Sequence, residues 1–82
     1  MNEELTSRLL ATLTEKTGRR WQINTSPPVV EAKMYVTIDD KLAWVSCPVS
    51  MNLLEGAFDV AVEKIIEGAA DEIGRLIVGL TE

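Results

Sequence analysis

The stretch VVEAKMYVTIDDKLAWVSCPV, residues 29–49, alternates between apolar and polar side chains on either side of an Asp-Asp pair. Alternation with a period of two is the mark of strands that bury one face. Val29 to Ile38 and Leu42 to Val49 therefore read as two antiparallel strands joined at Asp39-Asp40. With a two-residue loop, Val30, Ala32, Met34 and Val36 share a wholly apolar face with Ala43, Val45, Cys47 and Val49. Glu31, Lys33, Tyr35 and Thr37 then lie beside Leu42, Trp44 and Ser46 on the other face. A three-residue loop would instead move Trp44 in with Met34, Val36 and Ile38, because a slip of one residue exchanges the faces. The two-residue register gives the cleaner pattern and is preferred. Pro48 marks a strand end or an edge strand, since it cannot donate to a ladder.

Upstream, Trp21 and Ile23 alternate with polar neighbours as a short first strand, and Thr25-Ser26-Pro27-Pro28 is expected to break it. Before that, Leu5, Leu9, Leu10 and Leu13 form a helical stripe over residues 3–17. Asn2 is placed as its N-cap, Glu3 and Glu4 favour its first turn, and Gly18 suits its C-terminal exit. Downstream, apolar residues from Leu53 onward recur at about 100° per residue. Leu54, Phe58, Ala61, Val62, Ile65, Ala69, Ile73, Leu76 and Leu80 fall on one broad stripe. Asn52 with Glu55 resembles a capping box, with Ser50 as the alternative cap. This helix is expected to run to about residue 80, with Gly68 as the place for any bend, because glycine weakens a helix interior by about 1 kcal/mol.

The element order is α-β-β-β-α. It predicts one small α+β domain over residues 1–82: a three-stranded antiparallel meander with two helices on one face. A domain of 82 residues buries a modest share of its surface, so dimerisation or docking onto a larger protein would be a natural supplement.

The net charge of −5 is unevenly distributed. Residues 1–49 hold six acids and six bases, while residues 50–82 hold seven acids against Lys64 and Arg75. An acidic balance argues against direct nucleic-acid binding, which needs cations to neutralise phosphates, and suits a basic partner instead. The only cysteine is Cys47 and there is no histidine, which fits a reducing cytoplasm. The amino-terminal Met-Asn-Glu-Glu has the wrong charge for a signal peptide, and no membrane span is expected.

Catalysis is not expected. There is no histidine to serve as base or metal ligand, and Cys47 has no histidine to activate it. Cys47 faces the apolar side, where a thiol behaves as a small hydrophobe. No zinc ligand set, EF-hand spacing or phosphate-binding glycine loop is present, so no cofactor and no metal are expected.

The most specific feature is a carboxylate ladder in which Glu55, Asp59, Glu63, Glu67 and Asp71 are spaced by four residues. Each step turns about 40° around a helix, giving one slowly winding ridge opposite the apolar stripe. Like charges at this spacing cost a helix about 0.2–0.5 kcal/mol per pair. Such a run usually means a solvated face; its functional reading is a surface that meets lysines and arginines. Tyr35, Leu42 and Trp44 form a second candidate on the outer sheet face, since such aromatics are enriched at binding hot spots. The plainer reading makes Trp44 core, because large aromatics in so small a domain are usually recruited for burial. Lys16, Arg19 and Arg20 form a third, more simply read as helix C-terminal charge.

In size, element order, absence of catalytic groups and the ladder from Glu55 to Asp71, the chain resembles small acidic phage and mobile-element inhibitors, the anti-CRISPR proteins among them. That resemblance implies a non-catalytic inhibitor whose ridge occupies a basic groove of a nucleic-acid-handling protein or nucleoprotein complex. Asp59, Glu63, Glu67 and Asp71 would make the contact, with Tyr35 and Trp44 as further partner-binding residues. The alternative is a small homodimeric assembly module using the outer sheet face. A nucleic-acid-binding regulator using Lys16, Arg19 and Arg20 is the remaining rival.

Overall fold

The computed structural model describes residues 3–81, and side chains within residues 3–79. The order is α1 (Glu3–Thr17), β1 (Trp21–Ser26), β2 (Val29–Ile38), β3 (Lys41–Ser50), α2 (Met51–Gly56) and α3 (Phe58–Thr81). The strands form an antiparallel sheet in the order β1-β2-β3. This is the expected α+β meander, with its last helical segment divided in two. The suggested cap Asn2 lies outside the described residues, as does the side chain of Leu80.

The central hairpin adopts the two-residue register. Val36 pairs with Ala43, Met34 with Val45, Ala32 with Cys47 and Val30 with Val49. Asp39 and Asp40 both have positive φ, 53° and 61°. Two left-handed residues in succession make a turn whose twist matches that of the flanking strands. Aspartate tolerates this region better than most residues, because its short side chain can bond to nearby backbone. Trp44 consequently lands on the outer face, directly across from Tyr35. It is 49% exposed, so the reading of Trp44 as core is wrong. The aromatic that is buried is Trp21 at the start of β1, opposite Met34.

β1 is longer than expected. Thr25 and Ser26 still pair with Val30 and Val29, and only Pro27-Pro28 turns the chain, through a cis peptide bond. The Pro28 carbonyl accepts from the Met51 amide (3.0 Å), tying this turn to the start of α2.

One apolar cluster fills the space between the sheet and the helices. Leu9 and Leu13 come from α1, Val30, Ala32, Met34, Val36, Val45 and Val49 from the hairpin, and Leu54, Ala61, Val62, Ile65 and Ala69 from α2 and α3. At the exit of α1, Gly18 takes φ +67° and its amide donates to Thr14 (2.8 Å), the positive-φ exit a glycine allows. Thr17 closes the corner: its hydroxyl donates to the Leu13 carbonyl (2.6 Å) and accepts from the Trp21 indole N–H (2.8 Å). The buried indole thus keeps a partner, and the α1–β1 turn is latched to the core.

The helical segment breaks at Ala57 (φ −145°, ψ 69°), not at Gly68. Ser50 is the cap used: its hydroxyl accepts from the Leu53 amide (3.2 Å). The two glycines differ in surroundings. A Cβ on Gly56 would meet open space, so nothing packs against the chain there to offset glycine's low helix propensity. A Cβ on Gly68 would come within 2.5 Å of the Cys47 sulfur. At Gly68 α3 packs closely against Cys47 of β3, and α3 runs on without a break through this glycine.

Candidate functional site

The inner side of α3 is fixed by Ala61, Val62, Ile65 and Ala69, all buried against the sheet. At about 100° per residue, Asp59, Glu63, Glu67 and Asp71 then sit roughly 120° to 240° around the helix from Ile65. All four are exposed. The only ion pairs among the described residues are Lys33–Glu31 (3.3 Å) and Arg75–Glu72 (3.4 Å), so none of the four has a paired cation. The ridge therefore presents successive carboxylates over three helical turns. Glu55 does not continue it. It belongs to α2, beyond the break at Ala57, and shares a surface notch with Glu4, Leu5 and Arg8. The Arg8 guanidinium stands 4.1 Å above the Phe58 ring and holds α1 against the start of α3.

The opposite surface of the molecule is the outer face of the sheet. Tyr35 and Trp44 pack together there, with ring centroids 3.4 Å apart and planes tilted by 40°. Leu42, two residues further along β3, is 68% exposed. Lys33 reaches toward the Trp44 ring, its ammonium 5.9 Å from the centroid, while pairing with Glu31 on the same strand. The Lys33 contact follows from the register, yet charge–aromatic contacts are not visible in a residue pattern.

Lys16, Arg19 and Arg20 are exposed around the α1–β1 corner, and the structure does not gather them with either surface. A shallow groove of about 360 Å³ lies between the hairpin end and the last turns of α3, lined by Ile38, Ala43 and Leu76, with Lys41 and Arg75 at its rim. Cys47 is half-buried, its thiol near the Lys64 carbonyl (3.7 Å), and burial pushes its pKa up. A thiol so held is a poor nucleophile. No group of three or more histidine, cysteine, aspartate or glutamate residues among the described residues could hold a metal ion, and no described helix is long and apolar enough to cross a membrane.

Comparison of the chain with protein-family models, with curated proteins and with solved structures finds no match. The functional reading rests on the two outward surfaces themselves.

Proposed function

We propose that the protein is a non-catalytic binding protein that lays the acidic ridge of α3 against a basic groove on a nucleic-acid-handling target and blocks it. The observation that carries this reading is the ridge: Asp59, Glu63, Glu67 and Asp71 are all exposed and unpaired on one side of a 24-residue helix. Carboxylates repeated at i,i+4 work against the helix that bears them. A chain shaped for stability alone would alternate their sign, and a basic groove rewards their repetition. The mechanism is electrostatic attraction followed by steric occlusion, as in the small acidic inhibitors the chain resembles. A rigid helix seated on the sheet presents the charges without first having to order them.

The test is capture of a target from host lysate at low and at physiological ionic strength, with the wild-type chain and a Glu63→Lys, Glu67→Lys variant side by side. A basic nucleic-acid-binding protein should be retained by the wild-type chain and released as salt rises through about 0.15 M, where the Debye length falls to about 8 Å. Retention by the charge-reversed variant should fall at least tenfold, and added nucleic acid should compete for the target. Undiminished retention by that variant would remove the ridge as the contact.

A further inference from the structure

We infer that the outer face of the sheet is the interface of a homodimer, formed by two copies of this chain packed sheet to sheet. The face has an apolar centre that none of the described residues covers. Tyr35 is 40% exposed, Trp44 49% and Leu42 68%, and the ladder holds them in fixed positions on two ten-residue strands. Rigid aromatics on a preformed surface lose little freedom when covered.

Charge selects a second copy as the occupant. The three strands place just two charged side chains on this face, Glu31 and Lys33, and these pair with each other. Elsewhere the net charge of −5 opposes self-association, and its densest part is the ridge on the far side of α3. Packed sheet to sheet, two copies put two sheets and two helix layers between their ridges. At about 10 Å per layer contact, the ridges stand roughly 30 Å apart, several Debye lengths at physiological salt. Sheet-to-sheet contact is thus the approach that like charge least resists.

The same contact explains the composition of the face. A two-fold axis near the Tyr35–Trp44 pair lets that pair meet its own image, as an isologous interface requires. Strands of six, ten and ten residues cover about 400 Å², or about 800 Å² for both copies. That is below the standard size for stable complexes, so the dimer should be a weak one that forms only as concentration rises.

Sedimentation equilibrium of the full chain, from about 1 μM to 1 mM, tests this directly. The expected mass rises from 9.0 kDa toward twice that value. It should hold or strengthen as salt is raised, since apolar burial and not ion pairing drives it. Trp44→Ala should weaken the dimer about thirtyfold or more, as loss of a buried aromatic hot spot does. Leu42→Lys is a second variant, at a side chain already mostly in solvent, and should weaken it at least tenfold while leaving the thermal melt of the dilute chain unchanged. Glu63→Lys with Glu67→Lys should leave the dimer intact, which separates this interface from the ridge. A chain monomeric at every concentration would overturn the proposal, and so would a dimer indifferent to both Trp44→Ala and Leu42→Lys.

Discussion

The β2–β3 hairpin and the helix α3 each bury one side in the same core and turn the other outward, but what they turn outward differs. The outer face of the hairpin exposes aromatic and aliphatic side chains, with the two charges on that face, Glu31 and Lys33, paired with each other. The helix exposes four carboxylates with no cation paired to them. Both surfaces follow from the same packing, because the residues that must be buried fix the orientation of those that are not. The difference teaches that the molecule has two outward surfaces governed by different physics, one sensitive to salt and one not.

The comparison would break first if the outer sheet face were structural after all. Ile65, fully buried on the inner side of α3, sets the scale. Ile65→Ala should cost about 2–5 kcal/mol, from lost transfer energy and the cavity left behind. Trp44→Ala, on the outward side of β3, removes an exposed stacking pair and should cost the dilute chain about 0.5–1.5 kcal/mol. Urea unfolding of both variants at low protein concentration decides the matter. If Trp44→Ala proved as costly as Ile65→Ala, the aromatic pair would belong to the core and not to a contact surface.

Where the two regions touch, the fit between Gly68 and Cys47 sharpens the comparison. In open surroundings Gly→Ala would strengthen α3 by about 1 kcal/mol. Here the added Cβ would meet the Cys47 sulfur at 2.5 Å, so either the thiol turns out of its place in the packing or helix and strand part. Overpacking of this kind typically costs about 1–3 kcal/mol, and Gly68→Ala should therefore destabilise. Adding Cys47→Ala removes the obstructing sulfur and should reverse the sign, leaving the double variant above Cys47→Ala alone. Additive effects in this double-mutant cycle would mean that the close approach does not set the position of α3.

Much of this was legible in the sequence, for physical reasons that differ by element. The hairpin register was readable because a strand's period of two leaves no middle ground, and Val30 to Val36 against Ala43 to Val49 fit only one loop length cleanly. The preferred register put Trp44 on the outer face, but the general tendency of large aromatics to be buried favoured the core, and there the register was the better guide. The helix break was not readable. Gly56 and Gly68 have the same intrinsic propensity, and what separates them is whether a strand packs alongside, which only the fold determines. Thr17 escaped notice for a similar reason: its hydroxyl is one of many on α1 until Trp21 folds back onto it. The ridge was legible as spacing, yet its loss of Glu55 depended on the same unreadable break.

The smallest expected effect bears most directly on why the ridge exists. Glu63 has Asp59 and Glu67 four residues to either side, and each such pair of like charges costs a helix about 0.2–0.5 kcal/mol. Glu63→Lys converts both repulsions into attractions, so the free protein should become more stable by about 0.8–2 kcal/mol at low salt. The gain should fade as salt screens exposed charges. The same substitution should weaken capture of a basic target, so stability and binding move in opposite directions. Equilibrium urea unfolding at two ionic strengths, beside the capture experiment, measures both. A variant more stable and equally well bound would identify the ridge as a solvated face. A more stable variant that binds less well means that the repulsion is retained because the partner, and not the fold, benefits from it.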